Sequence, residues 1–73
     1  MRIMIQNRCM VIETPRNIWI QRDEVTGSGV VMCSNRRAPV LGIYSDMGRA
    51  QQVLGVLFEF QRDAKRTYYM PEK

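Results

Sequence analysis

The stretch from residue 41 to residue 58 constrains the fold of this chain more than any other feature. It joins a short β-branched and aromatic run, typical of a strand, to an amphipathic pattern that is typical of a helix. When the chain is wound at about 100° per residue, one stripe collects the apolar residues Met47, Ala50, Val53, Leu54, Leu57 and Phe58. We therefore predict a helix over residues 46–64 that lies on a core, with Ser45 as its N-cap.

The residues before this helix predict short strands separated by turns. Apolar runs that alternate or are β-branched occupy residues 2–6, 9–13, 18–22, 30–33 and 40–44. Asn7 and Arg8 suit a hairpin turn, because Asn tolerates a positive φ. Pro15 lacks an N–H and is expected to interrupt the ladder after the second strand. Beyond the helix, residues 67–70 have β character and form either a last short strand or an extended tail.

The predicted fold is α+β in a single domain, residues 1–73. We expect a small antiparallel meander of four to five strands in residues 2–44, packed on one C-terminal amphipathic helix, with residues 67–73 as a terminal strand or tail. One helix covers only one face of a sheet, so the other face is either polar or meets a partner. A chain of 73 residues buries roughly 60% of its unfolded surface, and disulfides, metals or oligomerisation commonly supplement such a small core.

The composition disfavours two of these supplements to a small core, disulfides and metals, and it disfavours several kinds of functional site. The chain has no His, and two cysteines, Cys9 and Cys33, are too few for a disulfide scaffold or a four-ligand zinc site. Both lie in apolar runs, where Cys behaves as a small hydrophobe, and neither has a His to act as its base. We therefore expect no cofactor, no metal and no enzymatic activity. Oligomerisation remains, most simply as a two-fold homodimer.

Four short motifs are shared with a known group of proteins. They are Leu41-Gly42-Ile43-Tyr44-Ser45, Arg49-Ala50, Val53-Leu54 and Tyr69-Met70-Pro71-Glu72. Together they resemble small uncharacterised proteins of Gram-positive bacteria and of their phages or mobile elements. This chain departs from that pattern at Gly48, where those proteins usually carry Glu, and at Arg8, where Gly is common. The resemblance implies a strand-rich fold that leads into one helix, and it implies no activity and no binding residues.

Charge and hydropathy bear on location and partners. The formal net charge is +4, and nine of the eleven basic residues are Arg, whose planar fork of donors suits phosphate and carboxylate groups. These arginines are dispersed along the chain, so only the fold can gather them. No apolar run approaches the about 20 residues of a membrane span, and the first residues lack a secretory signal pattern. We expect a cytoplasmic protein with reduced cysteines and no membrane partner.

Trp19 is the most distinctive candidate contact residue. Ile18 and Ile20 share one face of their strand, so Trp19 lies on the other face, which is open if the isoleucines face the helix. There Trp19 either anchors a protein interface or stacks on single-stranded nucleic acid beside arginines. A third alternative packs it inside a core beneath the tail tyrosines. The arginines considered with it are Arg2, Arg22, Arg36 and Arg37.

Val56 adds a little to the interface interpretation, since it falls opposite the apolar stripe of the helix. An exposed Val is ordinary by itself. Combined with an uncovered sheet face and a small core, however, it favours self-association. The sequence thus predicts a non-enzymatic interaction module that forms a homodimer and contacts an unidentified protein partner. Nucleic-acid binding through Trp19 and dispersed arginines is the alternative, and it is favoured less.

Overall fold

A computed structural model of the chain describes residues 1–62 and 66–73. Its elements in chain order are β1 (Arg2–Met4), β2 (Val11–Glu13), β3 (Ile18–Arg22), β4 (Gly29–Cys33), β5 (Val40–Tyr44), α1 (Met47–Phe60) and β6 (Thr67–Tyr69). The predicted α+β class is confirmed, but the helix is not C-terminal, because β6 follows α1. The predicted bounds of the third and fifth strands match the structure, and the terminal segment is a strand rather than a loose tail.

The strands form two three-stranded sheets instead of one meander. Sheet A has the order β2-β1-β6, and sheet B has the order β3-β4-β5. Pro15 lies in the link between β2 and β3, where its missing N–H suits a break in strand pairing. Sheet A gains its third strand from β6, which pairs parallel with β1 and places Tyr68 opposite Ile3. A parallel partner requires a crossover, and α1 lies within that crossover.

Sheet B is an antiparallel meander with one irregularity. Trp19 of β3 lies opposite Met32 of β4. The register of β4 and β5 shifts between Val31 and Met32, because Val31 pairs with Gly42 whereas Met32 pairs with Val40. Leu41 is therefore an extra residue in β5, as in a β-bulge. Its side chain is fully buried.

Helix α1 covers the inner face of sheet B and contacts all three of its strands. Ala50, Val53 and Leu57 are buried on the side of α1 that faces the core. The largest fully buried side chains come from both sheets, from α1 and from the segment after β6: Ile3, Leu41, Leu57, Met70, Val31 and Val53. One core therefore joins the two sheets and the helix.

The first turn and the apolar face of α1 differ from the sequence prediction. Asp46, not Ser45, is the N-cap: its backbone is extended, and its Oδ1 accepts the Arg49 N–H at 2.8 Å. Phe58 was expected in the buried stripe but is exposed, whereas Phe60 packs against the core. At about 100° per residue, Phe60 falls nearer than Phe58 to the middle of the buried face. The predicted end of the helix at residue 64 lies outside the described residues.

The turn between β1 and β2 lies where the sequence predicts it. Arg8 has a φ of 63°, a left-handed conformation that Gly adopts more readily, and its N–H donates to the carbonyl oxygen of Ile5 at 3.0 Å. The adjoining strands are shorter than predicted, since β1 ends at Met4 and β2 begins at Val11.

The two cysteines lie in different environments, and both are free. The prediction that Cys9 lies inside an apolar strand is wrong: Cys9 is exposed in the turn, where its N–H donates to Asn7 Oδ1 at 2.9 Å. Cys33 is buried in β4 as predicted. Its thiol donates to the carbonyl oxygen of Ala38 at 3.0 Å, which satisfies this polar group in the core.

Candidate interaction surface

The outer face of sheet B carries two rows of side chains that α1 does not cover. Residues directly opposite each other on neighbouring strands share a face. The row nearest the β4–β5 turn is Trp19, Met32 and Val40, and the next row is Gln21, Val30 and Ile43. Five of these six side chains are apolar. Trp19 is 42% exposed and Ile43 is 55% exposed, so this face is an apolar surface open to solvent.

The bulge at Leu41 creates part of this surface. In a regular strand, residues 40 and 43 would point to opposite faces because side chains alternate. The extra residue shifts the alternation, so Val40 and Ile43 both lie beside outward-facing residues of β4. The sequence prediction that Trp19 lies on the open face is confirmed, and the alternative that buries it beneath the tail tyrosines is wrong.

One end of sheet B is basic. The loop before β3 meets the turn after β4, since the Ser34 N–H donates to the Asn17 carbonyl oxygen at 3.0 Å and the Asn17 N–H donates to Ser34 Oγ at 3.1 Å. Arg16 precedes Asn17, whereas Arg36 and Arg37 follow Ser34. All three arginine residues are exposed at the same end of the sheet. This is also the end at which the Trp19 row lies.

Carboxylates are missing from the sequence of this region. Residues 14–22 and 30–45 contain four arginines and no Asp or Glu. Within the described residues, the ion pair found is Arg8 with Glu72, at 4.0 Å, and none of those four arginines takes part in one. The basic end of the outer face is therefore free to attract an anionic group.

The other predicted contact residues lie elsewhere. Arg2 is in β1 of sheet A, opposite Glu13. Arg22 is at the far end of β3 from the basic end, beside Gly29. Val56 is exposed on α1. Because α1 covers the inner face of sheet B, Val56 and Trp19 lie on opposite sides of the molecule. The structure thus keeps Arg36, Arg37 and Trp19 at one end and separates Arg2, Arg22 and Val56 from them.

The two edges of sheet B differ in their hydrogen bonding. At the β5 edge, the Gln6 N–H donates to the Leu41 carbonyl oxygen at 2.9 Å. The Gln6 side chain then acts like a further strand residue: Oε1 accepts the Ile43 N–H at 2.7 Å, and Nε2 donates to the Ile43 carbonyl oxygen at 2.9 Å. This edge is therefore closed within the chain.

The β3 edge is open in the described part of the chain. The Asn17 carbonyl oxygen accepts the Ser34 N–H, and the Asp23 N–H donates to the Ser28 carbonyl oxygen at 2.9 Å. The odd-numbered residues of this segment therefore direct their backbone N–H and C=O groups toward β4. The even-numbered residues, Ile18, Ile20 and Arg22, consequently point their N–H and C=O groups away from the sheet. No described residue donates to or accepts from these outward groups. An exposed edge of this kind is a template for pairing with another strand.

The segment after β6 is held beneath the Gln6 side of the molecule. The Tyr44 hydroxyl donates to the Pro71 carbonyl oxygen at 2.9 Å, and Gln6 Nε2 donates to the same oxygen at 3.2 Å. Arg49 Nε and Nη2 donate to the Lys73 main-chain oxygen at 3.0 and 2.7 Å. Burial first, and nearby Tyr68 second, raise the pKa of Tyr44 from 10.0 to about 12, while Arg49 opposes the shift.

Two kinds of feature, a metal-binding cluster and a membrane-spanning helix, are absent from the described residues. These residues contain no group of three or more His, Cys, Asp or Glu side chains placed to hold a metal ion. Within the same residues, no helix has both the length and the apolar character needed to cross a membrane. What the described surface offers is an apolar face, a basic end and an open strand edge.

Gln6 and Arg16 were not predicted as functional residues, and neither carries a local signal. Gln6 donates hydrogen bonds to Ile43 and Pro71, which are distant in sequence, and Arg16 gains its neighbours only when the loop before β3 meets Ser34.

Comparison of the chain with protein-family models, with curated proteins and with solved structures finds no match.

Proposed function

We propose that this chain is a small, non-enzymatic interaction module of the cytoplasm that self-associates by pairing the β3 edges of two copies. The observation that carries the proposal is the contrast between the two edges of sheet B. Gln6 closes the β5 edge with both backbone and side-chain hydrogen bonds, whereas Ile18, Ile20 and Arg22 leave the β3 edge open. Antiparallel pairing of two β3 strands would join sheet B of one copy to sheet B of the other across a two-fold axis.

The outward groups of β3 favour one register. Full overlap of two antiparallel β3 strands places Ile20 opposite Ile20 of the second copy, on the two-fold axis. Ile18 then lies opposite Arg22 of the second copy, and these are the residues whose N–H and C=O groups point outward. Trp19 is brought beside Gln21 of the second copy, on the outer face. This register uses every outward group and juxtaposes no arginines within the strand.

Charge beyond the strand supports the same register. Beyond the strand, the same register brings Arg16, in the bend before β3, toward Glu24 in the turn after β3 of the second copy, and the two-fold axis repeats this pair. Asn17 is likewise placed opposite Asp23. Opposite charges facing each other across strands contribute roughly 0.2–1 kcal/mol per pair. A chain with a net charge of +4 would otherwise repel its copy, so this complementarity favours association.

Partial exposure of the core at the β3 edge provides a further reason for pairing. Ile18 and Ile20 pack against the core but are only partly buried, in contrast to Val31 on the central strand, which is fully buried. A second β3 strand would cover the exposed parts of these isoleucines. The added apolar burial, at about 25 cal/mol per Å², supplements the small core of a chain of this length.

Proline substitution at Arg22 tests the edge pairing. Arg22→Pro removes one outward N–H and leaves the bonds between β3 and β4 in place, because proline is tolerated on edge strands. Arg22→Ala removes the same charge and keeps the N–H, so it is the matched control. By light scattering after size exclusion, we expect twice the chain mass of 8.6 kDa for the native protein and Arg22→Ala, and a monomer for Arg22→Pro. A native monomer at high micromolar concentration, or a dimeric Arg22→Pro with native circular dichroism, would overturn the proposal.

A charge swap tests the register. Arg16→Glu and Glu24→Arg should each weaken the dimer several-fold at low salt, because each places like charges opposite one another. The double variant restores opposite charges and should recover the native dissociation constant. If the two effects add instead of cancelling, Arg16 and Glu24 do not face each other and the register is wrong.

Nucleic-acid binding is the second candidate function. The exposed ring of Trp19 at the basic end of a face without carboxylates is the observation that favours it. It ranks lower because Arg2 and Arg22 lie away from that end and because the remaining exposed face is aliphatic. Binding of single-stranded DNA or RNA that weakens steeply with salt would support it, and no binding at 50 mM salt would remove it.

A further inference from the structure

A cavity opens beside the outer face of sheet B. It has a volume of about 140 Å³ and lies between the β1–β2 turn and β5, lined by Ile5, Gln6, Asn7 and residues 40–43. An apolar protein cavity of about 150 Å³ is large enough to hold a benzene molecule. This cavity is therefore the right size for one bulky apolar side chain.

The cavity continues the apolar outer face. Val40 and Ile43 line the cavity and also belong to the two outward rows that begin at Trp19 and Gln21. The surface thus runs from the β3 edge, across β4, to a recess on the far side of β5. A shape of this kind suits a peptide that lies across the strands and inserts one anchor side chain.

Charge indicates which peptide would fit. Arg36 and Arg37 lie in the turn that leads to Val40, which lines the cavity, and Arg16 is at the same end of the sheet. Asn35 Oδ1 holds that turn by accepting the N–H groups of Arg37 and Ala38 at 2.9 and 3.0 Å. These hydrogen bonds between the Asn35 side chain and the backbone fix the turn, and neither arginine side chain takes part in them. The arginines are therefore available to a partner with negative charge.

We propose that the outer face of sheet B is a docking site for an acidic peptide segment of a partner protein. The cavity beside β5 takes one bulky apolar side chain of that segment, and Arg16, Arg36 and Arg37 attract its flanking carboxylates. Complementary charge fixes the orientation of the segment and speeds its association, while the anchor contributes most of the affinity. The site uses the face and not the β3 edge, so it goes beyond self-association and is tested separately from it.

The chain contains a single Trp, so fluorescence of Trp19 reports occupancy of the face. The probe is a short Trp-free peptide in which one phenylalanine is flanked by glutamates and aspartates. We expect saturable binding of this peptide. Replacing its phenylalanine with alanine should weaken binding by about tenfold or more, since burial of an aromatic side chain is lost. A peptide with lysines in place of its acidic residues should not bind.

Charge reversal on the protein provides a second test of the same docking site. Arg36→Glu combined with Arg37→Glu should weaken binding several-fold at low salt, with a smaller effect at high salt. The control is Arg2→Glu combined with Arg62→Glu, which changes the net charge equally at exposed positions away from the face. Equal loss in both double variants would leave only a net-charge effect and would overturn the proposal.

Two further outcomes also overturn it. One is binding that does not depend on the phenylalanine, because the cavity would then have no role. The other is preferential binding of a single-stranded oligonucleotide that displaces the peptide, because the face would then recognise nucleic acid. The mass of the protein is measured in the same samples. A dimer without peptide binding, or peptide binding by a monomer, therefore separates failure of this site from failure of self-association.

Discussion

Gly29 shows how a single residue fixes the distance between the helix and sheet B. A Cβ atom at this position would lie 2.5 Å from the Asp46 carbonyl oxygen and 2.7 Å from the Ala50 Cβ. Neither neighbour is the end of a flexible side chain, so a methyl group requires the start of α1 to move away from β4. The close contact of α1 with β4 therefore depends on the absence of a side chain at residue 29.

Substitution of two glycines should consequently have opposite effects. Gly29→Ala should lower the free energy of unfolding by about 2 kcal/mol, within the range for overpacked cores. Gly55→Ala adds a methyl group with nothing within 4 Å in an exposed part of α1, and should raise it by about 0.5–1 kcal/mol. Urea denaturation of both variants measures the difference. Equal effects at the two positions would contradict the close approach at Gly29.

Tyr44 links stability to alkaline pH. Its pKa is raised from 10.0 to about 12 in the folded protein, first by burial and then by Tyr68, so folding favours the protonated phenol. Burial also raises the pKa of Tyr68. The stability contributed by these protonated groups is fully present below pH 10 and is lost as the pH rises through about 12.

The corresponding test compares the native chain with Tyr44→Phe. We expect the native free energy of unfolding to fall between pH 10 and 12, and to fall less steeply in Tyr44→Phe, where only the contribution of Tyr68 remains. The variant should also lose about 1 kcal/mol at neutral pH, because its ring cannot donate to Pro71. Identical slopes for the two proteins would show that Tyr44 does not titrate with folding.

At the scale of the element, α1 shows how far local sequence signals reach. The amphipathic period identified the helix and its buried Ala50, Val53 and Leu57, because that period is a property of the segment itself. The first residue of the helix was missed by one position. Ser45 and Asp46 are both good N-caps, and the choice between them depends on which residue has the extended backbone.

Two matched variants test that choice. Asp46→Ala removes the carboxylate that accepts the Arg49 N–H, so it should destabilise the protein by about 1 kcal/mol. Ser45→Ala alters an exposed residue outside the cap and should change stability by less than about 0.5 kcal/mol. Thermal unfolding of both variants measures the difference. A larger loss for Ser45→Ala would show that the helix begins one residue earlier.

The strands show what local sequence does not contain. The alternation of side chains placed Trp19 on the face of β3 that does not carry Ile18 and Ile20, and this prediction is confirmed because β3 is regular. The same rule fails in β5, since the bulge at Leu41 moves Val40 and Ile43 onto one face. The isolated Gly42 beside Leu41 is of a residue type that often marks a bulge, but it does not specify which residue of the strand is the extra one. The apolar outer face could therefore be predicted only as far as Trp19.

At the scale of the molecule, pairing between distant segments decided the architecture. The sequence predicted β strands and one helix in the correct order, but it placed the strands in a single sheet. The parallel pairing of β6 with β1 joins the two ends of the chain, and the contacts of Gln6 with Ile43 join its first segment to its middle. Such pairings depend on which strands meet in three dimensions, and periodicity within each strand leaves that open.

Residues 1–62 and 66–73 combine a sheet edge closed by Gln6, an opposite edge that none of these residues pairs with, and an apolar face with a basic end. We infer that the open edge serves assembly of two copies and that the face serves recognition of a further protein. In the assembled pair, the two outer faces would adjoin at Trp19 and Gln21, so the dimer would present a docking surface twice as wide as that of one chain.

Hydrogen exchange at the β3 amides, followed at low and high protein concentration, tests the central claim most directly. The amides of Trp19 and Gln21 face β4 and should be protected at both concentrations, which provides an internal control. If two copies pair through their β3 edges, Ile18, Ile20 and Arg22 exchange rapidly in dilute protein and become protected as the dimer forms. If these three amides exchange at the same rapid rate at every concentration while the control amides stay protected, the β3 edge does not pair with a second copy.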